Sequence, residues 1–95
     1  MAKIILFEHV NFGGKALVLK DEDVQNLGDR GLNDRVSSLI VVDGPWTLYR
    51  HGEFGGTRWH VQRNGGPEGD GTYPHSNDWR GDNDQISSVR RGHQP

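Results

Sequence analysis

The stretch that decides the fold is Phe7-Glu8-His9-Val10-Asn11-Phe12-Gly13-Gly14, because the chain writes it again as Tyr49-Arg50-His51-Gly52-Glu53-Phe54-Gly55-Gly56. Each copy reads aromatic, four residues, Phe, then a glycine pair, and the two copies stand 42 residues apart. Apolar residues flank both. Ile4-Ile5-Leu6 faces Trp46-Thr47-Leu48, and Leu17 and Leu19 face Trp59 and Val61. Leu17 with Leu19, and Trp59 with Val61, share one side of an extended segment. Glycines supply backbone positions where positive φ costs little, so each copy reads as a strand, a tight turn and a returning strand. The aromatic at the head of each copy is expected to fold over the turn glycine, with the Phe five residues on as the anchor of the hairpin.

A second block repeats as well. Asn33-Asp34-Arg35-Val36-Ser37-Ser38 matches Asn83-Asp84-Gln85-Ile86-Ser87-Ser88, now 50 residues apart. The added residues of the second half fall between Asn64 and Gly81, a Gly/Pro/Asn-rich span that reads as a long loop. Ser38 to Val42 is a buried-strand run, with Ser88 to Arg91 as its shorter partner, while Asp21 to Leu27 reads as one helical turn. Four strands per half make about eight. Halves this small leave an apolar face open, so they are expected to pack on each other as one all-β domain spanning 1–95.

Composition narrows the chemistry. The 95 residues carry a net charge of −2, and Arg90-Arg91-Gly92-His93 is too short to form a basic nucleic-acid patch. No run of apolar residues is long enough for a membrane helix. The opening apolar run meets Glu8 too early for a signal peptide, which points to a cytoplasmic chain or a mature fragment. With no cysteine, disulfides and thiolate metal sites are excluded, so any staple must use oxygen or imidazole ligands.

The doubled aromatic–Phe–Gly pattern resembles the Greek-key signature of the βγ-crystallins. The second block resembles that family's calcium motif, Asn/Asp-Asn/Asp-x-x-Ser/Thr-Ser, and both copies fit it. The likeness covers nearly the whole chain, and Lys3-Ile4-Ile5-Leu6-Phe7-Glu8 is similar to single-domain, non-lens members. It implies a β-sandwich of two Greek-key motifs, about 2–43 and 44–92, with two calcium ions at one end. In the family each motif is shared between the sites. The resemblance therefore puts the Ser37 hydroxyl with the Asp84 side chain and the Gln85 carbonyl, and Ser87 with Asp34 and the Arg35 carbonyl. The carbonyls of Glu8 and Arg50 complete the two shells. Ser38 and Ser88 are expected to face the turn or the core instead.

The residue chemistry agrees with calcium, which takes six to eight oxygen ligands from carboxylates, carbonyls, hydroxyls and water. Magnesium demands stricter geometry, and softer metals would want clustered imidazoles or thiolates. About one carboxylate per site implies moderate affinity, and shared ligands would let calcium tie the halves together. A polar turn with no ion is the competing reading of each block, giving a structural or partner-binding domain with weak or no calcium binding. Arg35 at an x position, and Arg50 where the first half has Glu8, are departures that make the surroundings less acidic.

Other features carry less. His9, His51, His60, His75 and His93 lack close metal spacing, and no nucleophile–base pair or triad stands out, so no enzyme is expected. Asp21-Glu22-Asp23 reads as a solvated charged face, Arg80-Gly81-Asp82 as a chance tripeptide, and Asp78 to Asp84 lacks the spacing of an EF-hand loop. Trp46, Trp59 and Trp79 read as core or corner residues, with Trp79 the one alternative platform for a partner or carbohydrate. A self-sufficient monomer is expected.

Overall fold

In the computed structural model, residues 1–32, 36–79 and 86–95 are described. Among these residues seven strands form two antiparallel sheets: β1 (Lys3–His9), β2 (Gly13–Lys20), β3 (Ser38–Asp43), β4 (Trp46–His51), β5 (Gly55–Val61), β6 (Thr72–Tyr73) and β7 (Ser88–Arg91). The first sheet has the order β2-β1-β3-β6 and the second β5-β4-β7. The core between them collects Ile4, Leu6, Leu19, Leu39, Trp46, Leu48, Val61 and Val89, all fully buried. Strand alternation explains the membership: Ile4 and Leu6 turn inward while Ile5 and Phe7 face out. Among the described residues no helix is long and apolar enough to cross a membrane.

The two sheets exchange pieces. β6 comes from the span expected to be a loop, yet it pairs with β3 through Leu39↔Tyr73 and Ile40↔Thr72. In the other direction Val24 and Val89 exchange backbone hydrogen bonds of 2.9 and 3.1 Å. That isolated bridge holds the backbone of Val24 against β7. The helical turn expected over Asp21 to Leu27 therefore begins later, as a 3-10 turn over Leu27–Arg30. The Asn26 side chain accepts from Gly28 N (2.9 Å) at its start, and Gly31 ends it with φ +86°.

Trp46 is fully buried and Trp59 packs against the core from its edge. Trp79 is only 5% exposed and meets the Tyr73 ring edge-on at 6.2 Å. Burial removes it as a surface platform and leaves the core reading.

Candidate functional site

Both hairpins are built alike. Asn11 and Phe12 have φ of +54° and +62°, and Glu53 and Phe54 have +55° and +60°. Side chains other than glycine pay for this region, so something must hold them there. A buried serine does so. Ser38 Oγ accepts from Phe12 N (2.9 Å) and donates to the His9 carbonyl (2.5 Å). Ser88 Oγ accepts from Phe54 N (3.1 Å) and donates to the His51 carbonyl (2.6 Å). The last serine of each block is thus a brace for the turn, as expected.

The aromatics behave differently from expectation. Phe7 packs edge-on to Phe12 at 5.5 Å, and Tyr49 to Phe54 at 5.6 Å. The group over the positive-φ glycine is the imidazole two residues after the aromatic. A Cβ on Gly14 would lie 2.5 Å from His9 Cδ2, and one on Gly56 would lie 2.4 Å from His51 Cδ2. The register of each hairpin shifts just here, between Phe7 and His9 and between Tyr49 and His51, and the histidine beyond the shift is the residue that meets the glycine. The matching histidines were the sequence signal for this contact.

The preceding serines lie beside the hairpin bases. Ser37 N donates to the Phe7 carbonyl (3.0 Å) and Ser87 N to the Tyr49 carbonyl (2.9 Å). Ser37 is thereby set across from the Phe7–Glu8 peptide, and Ser87 across from the Tyr49–Arg50 peptide; both serines are half-buried. Glu8 Oε1 turns back along the hairpin, 3.5 Å from Lys15 N and 3.5 Å from His9 Nε2. Arg50 is exposed. The remaining expected ligands, Asp34, Arg35, Asp84 and Gln85, lie outside the described residues. Among the described residues no three His, Asp or Glu side chains gather as a metal cluster.

Bonds between the halves run close by. Leu27 N donates to the Ser87 carbonyl (2.8 Å), Glu53 N to the Gln25 carbonyl (2.7 Å), and Asn11 N to the Pro74 carbonyl (2.8 Å). The acidic run Asp21-Glu22-Asp23 lies at the surface, as expected, but its carboxylates are engaged there. Asp21 takes Ala2 N (2.7 Å), Glu22 pairs with Arg30, and Asp23 takes both the backbone N (2.8 Å) and the Nε (2.9 Å) of Arg91. Partial burial would raise the Asp23 carboxyl, but the hydrogen bonds and charge of Arg91, with Arg90 behind, hold it below the usual range. Arg30 is 8 residues from Glu22, but Arg91 is 68 residues from Asp23, beyond any local reading.

The βγ-crystallin pattern can now be set against known proteins. The beta/gamma crystallin family profile matches residues 3–91. The chain belongs to the beta/gamma crystallin family. A beta/gamma-crystallin of Ciona intestinalis is 41% identical over 91 residues, covering 96% of this chain and 99% of the relative. Beta-crystallin B3 of Bos taurus is 35% identical, but this chain spans only 39% of its length. Among solved structures, the Ciona beta gamma crystallin superposes with a TM-score of 0.82 at 40% identity, covering 94% of this chain and 98% of that one. An archaeal betagamma-crystallin gives 0.79 at 36% identity, covering 95% and 96%. The two-sheet architecture of this βγ-crystallin domain is that of its neighbours.

Proposed function

We propose that this βγ-crystallin domain binds two calcium ions through its paired blocks and uses them to stabilise the fold. The observation that supports it most is the doubled juxtaposition of Ser37 with the Phe7–Glu8 peptide and of Ser87 with the Tyr49–Arg50 peptide. Hydroxyl and carbonyl oxygens then stand beside blocks that supply Asp34 and Asp84. Neutral oxygens with a carboxylate are calcium's preferred company. Ser37, Asp84 and the Gln85 and Glu8 carbonyls would hold one ion; Ser87, Asp34 and the Arg35 and Arg50 carbonyls would hold the other. The role is structural binding, not catalysis.

Calcium held this way stabilises by mass action, about 2.7 kcal/mol per site at a hundredfold excess over Kd. Thermal unfolding in chelator, then in millimolar calcium or magnesium, tests the reading. A rise specific to calcium is expected, and S37R together with S87R should abolish it, since each places a long cation at an ion's position. An unchanged midpoint, or full-stoichiometry binding by the double variant, would refute the assignment. The alternative, a structural domain whose blocks only shape the turns, draws on Ser38 and Ser88, whose hydroxyls are used within the protein.

A further inference from the structure

The outer faces of the two sheets occupy equivalent positions and carry opposite chemistry. Across the first sheet the register aligns Val18, Ile5 and Ile40 in one outward row. Across the second the corresponding row is His60, Thr47 and Arg90. The second face is also roofed. Thr47 is fully buried because the chain after β7 folds over it: Thr47 Oγ1 donates to the Gly92 carbonyl (2.7 Å) and accepts from Gln94 N (2.9 Å). His60 stacks on His93 at 3.8 Å, and Arg90 covers the Phe54 ring at 5.0 Å. Among the described residues the first face has no such cover. Val18 and Val42 are 47% and 44% exposed, and Ile5 and Ile40 are left half-buried. A β-branched row left open on one sheet and made polar on its twin marks a surface that meets something.

We infer that this face pairs with the same face of a second copy of the chain. The border of the patch selects that occupant. One step along the strands, the register aligns Lys20, Lys3 and Asp43. A two-fold axis lying along β1 sets this row against its own reverse. Each Lys20 then meets the partner's Asp43, and Val18 meets the partner's Ile40 across a shared Ile5 contact. The two Lys3 stems meet at the rim with their ammonium groups in water. An axis across the strands would instead press this charged row onto Phe7 and Ala16, which burial of unpaired charge forbids. Asp43 already takes the N-terminal amine at 3.1 Å, and Lys20 of the partner subunit adds a second cation. The sheet face measures roughly 19 by 17 Å, so a pair buries on the order of 700 Å² in total. That lies below the usual range of about 1,200–2,000 Å², so the dimer is a weak one, forming toward millimolar concentration.

Sedimentation velocity of the full chain from micromolar to millimolar concentration tests this. The sedimentation coefficient is expected to climb toward that of a dimer. A variant borrowing the second sheet's own residues (Ile5→Thr, Val18→His and Ile40→Arg) should stay monomeric with its circular dichroism intact, while Arg90→Ala on the other face should pair as before. Lys20→Asp and Asp43→Lys should each weaken pairing several-fold, and the two together should restore it. A wild-type chain that stays monomeric throughout overturns the inference, whatever else binds the face. A borrowed-residue variant that still pairs, or a charge swap that restores nothing, overturns it equally.

Discussion

Replacing Ser38 by alanine removes one oxygen from a buried position where it holds two backbone groups at once. Phe12 N loses its acceptor at 2.9 Å and the His9 carbonyl loses its donor at 2.5 Å. Among the described residues the freed N–H has no other partner, in a turn whose two central residues sit at positive φ. Stranding a buried donor costs roughly 1–3 kcal/mol, and the acceptor adds up to a similar amount where water cannot reach it. The expected loss is therefore about 2–4 kcal/mol. For a domain of this size that is a fall in melting temperature of roughly 10–30 °C, at about 4–8 °C for each kcal/mol. Urea unfolding followed by tryptophan fluorescence reads it as a lower midpoint at unchanged slope. Ser88→Ala should cost a similar amount, because its two bonds are 3.1 and 2.6 Å. A loss below about 0.5 kcal/mol in both variants would show that the turns hold themselves, and the brace argument would fail.

The hairpin glycines make a second test. Gly14→Ala should cost about 1–2 kcal/mol, mainly from its φ of +74°, since the exposed His9 ring can step aside. Gly13→Ala, at φ −97° with its nearest neighbour 3.4 Å away, should be close to neutral, and equal losses at both positions in urea would contradict this. The Asp23–Arg91 pair predicts a pH dependence. Because Asp23 titrates lower folded than unfolded, its contribution is present above the ordinary carboxylate value of about 3.9 and disappears as pH falls through the folded value. Asp23→Asn should therefore be less stable than wild type at neutral pH, with the gap closing in acid; a gap that is constant with pH would count against the pairing.

Much of the fold was legible because glycine and aromatic spacing report local geometry. Phe12-Gly13-Gly14 and Phe54-Gly55-Gly56 name their turns directly, and the run Ser38 to Val42 names its strand. The core reading of Trp46 and the turn role of Ser38 and Ser88 were also open to sequence reasoning. What escaped it is long-range. Nothing near Thr72-Tyr73 announces that these two residues will pair with β3, for a two-residue strand has no periodicity to detect. Nothing near Asp23 names Arg91. The imidazoles over Gly14 and Gly56 were missed for another reason: the larger aromatic was the obvious cover, and only the folded hairpin, with its shift of register before the histidine, shows that the smaller ring reaches the glycine. At the candidate site the doubled block is the source of the proposed ligands, and half of those residues, Glu8, Ser37, Arg50 and Ser87, lie in the described hairpins and the segments beside them.

The exchange of pieces between the sheets has a meaning for how the chain is made. When Asp43 leaves the ribosome, β1, β2 and β3 can already pair, yet the outer edge of β3 must wait until Thr72 and Tyr73 have been synthesised. The backbone of Val24 waits longer still, for Val89. Neither half can finish alone, so the nascent domain carries open strand edges for most of its synthesis and closes them only in its last residues.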